Sequence, residues 1–127
     1  MESVTYLKNL RIAPKKLRFF MPEIKKLKPV LALDYLFYIQ NKPAKIFYKA
    51  IKSAVTNAKN TLKVNEDLLK FKVLTIEEGQ KLKRYRPGSR GTAKPFKRRM
   101  SHIKIILQAQ NIAKKIGVKN LKDKARK

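Results

Sequence analysis

The sequence predicts an α+β domain in which three helices pack on a small antiparallel sheet and a long two-stranded hairpin protrudes from it. Three patterns lead there. Residues 43–62 place an apolar side chain at every third or fourth position, as a helix with one buried face does. Residues 71–76 and 101–107 alternate and are rich in β-branched side chains, as half-buried strands are. Between those strands runs a basic segment broken by Pro87 and Pro95, which no helix can span.

The elements follow in order. Val4, Tyr6 and Leu10 alternate loosely and give a short strand over residues 2–11. Ala13-Pro14 is a helix entry, because proline suits the first turn, where its missing N–H is not needed. Leu17, Phe20, Met21 and Ile24 share a helical face, and Pro22 predicts a break or kink within it, with the helix resuming through Lys28. Pro29 opens a second helix with Val30, Leu33, Phe37 and Leu36 facing inward. Asn41 caps a third and Pro43 fits its first turn. Phe47, Ile51, Ala54, Val55, Ala58 and Leu62 form the apolar face of that helix.

Lys45, Lys49, Lys52 and Lys59 fall on the opposite side, either as a solvated face or as a second phosphate-contacting surface. Residues 62–67 are polar and turn-like. A strand follows over residues 71–76, closed by Glu77-Glu78-Gly79, and the chain returns over residues 101–107 with Ile103, Ile105 and Leu107 on one face. Residues 1–107 therefore form one domain that includes a basic hairpin over residues 80–102. Residues 108–127 are a basic C-terminal extension.

Charge narrows the function. The net charge is +25, and self-repulsion on that scale asks for a polyanionic partner. From Gly79 to Lys122 there is no aspartate or glutamate. Lys81, Lys83, Arg84, Arg86, Arg90, Lys94, Lys97, Arg98, Arg99 and Lys104 all lie inside that run. Such side chains stay solvated or find counter-charge. A membrane-surface binder would need a helix with an apolar face opposite its lysines, and this segment has no such periodicity. RNA fits better than duplex DNA, because no recognition helix is evident and extended, shape-fitting segments suit folded RNA. Tyr85 and Phe96 are interleaved among the cations where stacking on bases or riboses is expected.

Pro87-Gly88 supplies the two central positions of a type II turn, and Gly91 allows another tight position. The resulting tip of small residues is either a plain surface hairpin or a shape that must enter a confined space. Catalysis is poorly supported. His102 is the sole histidine and has no carboxylate near it in sequence, so it reads as a structural donor or an RNA-facing group. Glu77 and Glu78 point to opposite faces of a strand, and the glycines match no phosphate-binding loop. There are no cysteines, and nothing asks for a metal or cofactor. No leader-like start and no membrane-length apolar run is present, so a cytosol-side chain is expected. A free-standing nucleic-acid chaperone with a mobile basic arm is the competing reading.

Lys83-Arg84, Pro87, Gly91, Ala93, Arg98-Arg99 and Ser101-His102-Ile103, in that order, resemble the extended hairpin of the universal large-subunit ribosomal protein twenty-two family, of the bacterial or organellar type. Lys15-Lys16-Leu17-Arg18, Ala32-Leu33-Asp34-Tyr35-Leu36 and residues 52–60 resemble its three helix signatures, and the likeness covers roughly residues 4–107.

The resemblance implies a non-catalytic constituent of the large ribosomal subunit that binds large-subunit rRNA and supports assembly. It implies that the hairpin tip lines the nascent-peptide exit tunnel. The expected rRNA contacts are Lys15, Lys16, Arg18, Lys81, Lys83, Arg84, Arg86, Arg90, Lys94, Lys97, Arg98, Arg99, Ser101 and His102, of which the resemblance itself implies Lys16, Arg18, Lys83, Arg84, Arg98 and Arg99. The implied tip is Arg86, Pro87, Gly88, Ser89, Arg90, Gly91 and Thr92. Neighbouring large-subunit proteins and the nascent polypeptide join rRNA as expected partners in a cytoplasmic ribosome, with no cofactor, no membrane and no self-association. The chain departs from the family at Gly88 and Thr92, where relatives commonly carry basic residues. It also departs at Met100 in place of threonine, at Pro22, and in the tail from Gln108.

Overall fold

The computed structural model of the protein describes residues 2–110. The element order is β1 (Glu2–Leu10), α1 (Pro14–Arg18), α2 (Met21–Lys26), α3 (Pro29–Tyr38), α4 (Lys42–Leu62), β2 (Leu69–Pro87) and β3 (Ala93–Ala109). One 3-10 turn, Glu66–Leu68, leads into β2, and another, Ser89–Gly91, joins β2 to β3. This is the expected α+β architecture with its long hairpin. The first of the three helical segments is divided into α1 and α2. Pro22 explains the division, because its ring conflicts with a helical carbonyl four residues back, at Arg18, where α1 stops. The segment also ends at Lys26 rather than Lys28, since Pro29 forces Lys28 into extended backbone (φ −68°, ψ 153°).

The sheet is antiparallel with order β1-β3-β2, so β3 is central. Its inward residues Ile103, Ile105 and Leu107 are wholly buried. Helix α4 lays Phe47, Ala50, Ile51, Ala54, Val55 and Ala58 over β1 and β3. The alanines let its backbone come close to the sheet, and Leu17, Ile24, Ala32 and Leu36 complete the core from the shorter helices.

The alternation in β1 puts its small polar residues inside. Ser3 and Thr5 are buried, whereas Val4 and Tyr6 are 60% and 38% exposed. Small polar side chains fit under the close α4 contact, and Asn57 of α4 donates to Thr5 Oγ1 at 3.4 Å. On α3 the inward residues are Pro29, Ala32 and Leu36, with Val30 and Leu33 half-buried and Phe37 exposed, which corrects the expected inward Phe37.

Strand β2 does not close at Glu77-Glu78-Gly79. It runs on to Pro87 through two irregularities in its pairing with β3. The first lies between Phe71 and Val73, where Lys72 is the extra residue. It explains how Leu69 and Leu74, five apart, both reach the core. The second, between Glu78 and Lys81, falls where the sheet ends and the hairpin begins. Beyond Leu10↔Ser101 no third strand accompanies β2 and β3 among the described residues.

Candidate nucleic-acid interface

The hairpin continues as a two-stranded ribbon from Lys81↔Arg99 to Pro87↔Ala93. At about 3.4 Å per residue its seven paired positions extend roughly 24 Å from the sheet. Side chains alternate across a ribbon, so its pairs sort onto two faces. One face carries Lys81↔Arg99, Lys83↔Lys97 and Tyr85↔Pro95; the other carries Leu82↔Arg98, Arg84↔Phe96 and Arg86↔Lys94. Like charges directly opposite one another destabilise a ribbon in water. Among the described residues Lys81 alone on this arm has an acidic partner, Glu78 at 3.4 Å. Arg86 instead lies over the Phe96 ring, 4.8 Å from its centroid.

The turn differs from the expected type II geometry. Gly88 has extended backbone (φ −109°, ψ −172°), and the left-handed residues are Arg90 (φ 55°) and Gly91 (φ 72°). Gly88 is needed for space: a Cβ there would sit 2.9 Å from the Thr92 carbonyl oxygen. The Gly88 N–H donates to that oxygen at 2.7 Å, and the Thr92 N–H donates to the Ser89 carbonyl at 3.2 Å. A short closed loop of small residues results.

At the base of the arm, a crevice of about 720 Å³ joins three elements. Arg11 and Lys16 contribute from the entry to α1, Lys42 from the start of α4, and Arg84, Arg98 and Arg99 from the hairpin. Asn41 does not cap α4 with its side chain, so the positive end of a 21-residue helix opens into the same place. Six cations and a helix N-terminus in one crevice constitute an anion-binding geometry. Arg11 and Lys42 were not singled out from the sequence. Arg11 follows β1 directly, just ahead of the Lys15–Arg18 cluster, a proximity that offered a signal; Lys42 joins only through the packing of α4.

The other expected contacts divide. Lys15 is exposed on α1. Arg18 is partly used by the fold, its Nη2 donating to the Ile76 carbonyl at 3.2 Å. Arg90 and Lys94 are exposed at the tip. Ser101 is a correction: it is fully buried, and its hydroxyl donates to the Ile12 carbonyl at 3.0 Å, tying β3 to the turn before α1. His102 is half-buried, and its Nδ1 accepts the Asn9 N–H at 2.9 Å, holding the irregular end of β1. Lys45, Lys49 and Lys52 are exposed on α4 outside the crevice, and Lys59 pairs with Glu66 at 3.2 Å. Among the described residues there is no cluster of metal-ligating side chains, and no helix is long and apolar enough to cross a membrane.

Comparison with known proteins agrees with this geometry. Residues 5–108 match the family described as Ribosomal protein L22p/L17e. The chain is 38% identical over 111 residues to the large ribosomal subunit protein uL22 of Opitutus terrae, covering 87% of this chain and 98% of that protein. It is 37% identical over 110 residues to that of Akkermansia muciniphila, covering 87% and 98%. To that of Mesoplasma florum it is 33% identical over 112 residues, covering 88% and 100%. The match runs from β1 through the whole hairpin to the end of β3, and the chain therefore belongs to the ribosomal protein L22p/L17e family.

Proposed function

We propose that this protein binds large-subunit rRNA through its basal crevice and hairpin, supports subunit assembly, and lines the nascent-peptide exit tunnel with its tip, residues 86–92. Its family makes it a structural constituent of the large ribosomal subunit, and its work is binding rather than catalysis. The observation that carries the finer reading is the acid-free ribbon with cations on both faces, rooted in a crevice lined by Arg11, Lys16, Lys42, Arg84, Arg98 and Arg99. Phosphates neutralise side chains that otherwise repel one another, so RNA binding and ordering of the arm are one event. Guanidinium groups suit this task because each presents a planar fork to phosphate oxygens. The small residues Gly88, Ser89 and Gly91 keep the tip narrow, as a confined channel requires.

Tagged protein expressed in cells should sediment only with large subunits and intact ribosomes. A photoreactive side chain at Ser89 should crosslink in translating ribosomes to rRNA and to the nascent polypeptide. A large free pool that binds unrelated duplexes as tightly as rRNA would favour the chaperone reading instead. Crosslinks from Ser89 confined to other ribosomal proteins would refute the tunnel placement.

A further inference from the structure

The two aromatic residues of the arm have different surroundings. Phe96 is half-buried and shares its face with Arg84, and the Arg86 guanidinium covers its ring at 4.8 Å. Tyr85 is 67% exposed on the opposite face. Among the described residues no aromatic or cationic side chain is seated on its ring. Pro95 lies directly across the ribbon from Tyr85, and Lys83↔Lys97 form the next pair on the same face. A hollow on this side is lined by Lys83, Tyr85, Pro95, Phe96, Lys97 and Arg99.

The geometry points to a stacking site for one unpaired RNA base on the Tyr85 ring, with Pro95 as its floor and Lys83 and Lys97 on the flanking phosphates. An exposed tyrosine bordered by cations, with no acidic residue from Gly79 to Lys122, has the composition of a single-strand stacking platform. A rigid ring is also an economical contact, because few rotatable bonds are immobilised on binding. Phe96 borders the hollow but is not the platform, because it belongs to the opposite face of the ribbon and the Arg86 guanidinium already lies over its ring. Stacking accepts any base, so the site confers affinity and position on the RNA without reading its sequence. The inference rests on the rRNA-binding function proposed above.

The test uses the full chain and two single-stranded probes of equal length: oligoadenylate, and an abasic oligomer with the same number of phosphates. Wild-type protein should bind oligoadenylate roughly 5- to 100-fold more tightly than the abasic strand. Tyr85→Ala should abolish that difference while leaving the salt dependence unchanged, because no phosphate contact is lost. Tyr85→Phe should retain the preference, and Phe96→Leu should not alter it. Equal affinity of the wild type for both strands would overturn the stacking site while leaving phosphate binding intact. Loss of the preference in Phe96→Leu, with Tyr85→Ala unaffected, would assign the platform to the wrong ring. Failure to bind either strand would remove the RNA-binding function and this inference together.

Discussion

Replacing Arg98 and Arg99 by alanine tests the proposed phosphate binding in the basal crevice most directly. Both line it, on opposite faces of the ribbon, and neither carries a hydrogen bond that the fold needs among the described residues. If each of the six crevice cations meets one phosphate, the logarithm of the rRNA-fragment binding constant should fall against log salt with a slope of about −4 to −5, at roughly 0.7–0.9 per contact. Removing two contacts should flatten that slope by about 1.4–1.8. Between 50 and 200 mM salt the wild type should therefore lose roughly 7- to 12-fold more affinity than the variant. The assay is fluorescence anisotropy on a labelled rRNA fragment over a salt series, with circular dichroism to check the fold. Lys49→Ala with Lys52→Ala removes the same charge from the exposed face of α4 and serves as the control. An unchanged slope in the arginine variant, or equal flattening in the control, would refute specific phosphate contacts in the crevice.

Two further outcomes are expected. In the free protein, amides of residues 82–100 should exchange rapidly while those of Ile103, Ile105 and Leu107 stay protected, because among the described residues the ribbon beyond Lys81↔Arg99 has no core beneath it; strong protection of the arm in hydrogen-exchange mass spectrometry would show that it is self-supporting. Tyr6 and Tyr35 each donate to a carboxylate at 2.7 Å, from Glu77 and Glu23 respectively, and these hydrogen bonds raise their ionisation above the ordinary 10.0. The folded state favours the neutral phenols, so this stabilisation is present below about pH 10 and disappears as pH climbs through the raised values. Phenolate absorbance should show late-titrating tyrosines in native protein that return to the ordinary midpoint in urea, and coincident native and denatured curves would contradict the contacts.

The long α4 was legible because a single strong period settles both its existence and its inward face. The two strand cores were legible for the same reason. Other elements were not, and each failure has a cause. Val4, Tyr6 and Leu10 give the first strand but not its inward face, which the close approach of α4 assigns to Ser3 and Thr5. Phe37 looks like core, yet α3 packs through Pro29, Ala32 and Leu36. Glu77-Glu78-Gly79 looks like a strand end, although the backbone pairs on to Pro87. Pro87-Gly88 looks like the turn, but the left-handed positions fall at Arg90 and Gly91.

The sequence by itself determined the need for a polyanion, the absence of a plausible catalytic set, and the hairpin's place between two core strands. Those follow from charge and periodicity, which are properties of the chain before it folds. Tertiary structure alone decided which cations lie together. Arg11, Lys42 and Arg99 are far apart in sequence and share one crevice because β1, α4 and β3 meet there. It also decided that Ser101 belongs to the core and that, among the described residues, Arg86 covers the ring of Phe96 while no aromatic or cationic side chain sits on that of Tyr85. Strand register assigns side chains to faces, and a single irregularity such as that between Glu78 and Lys81 changes the assignment.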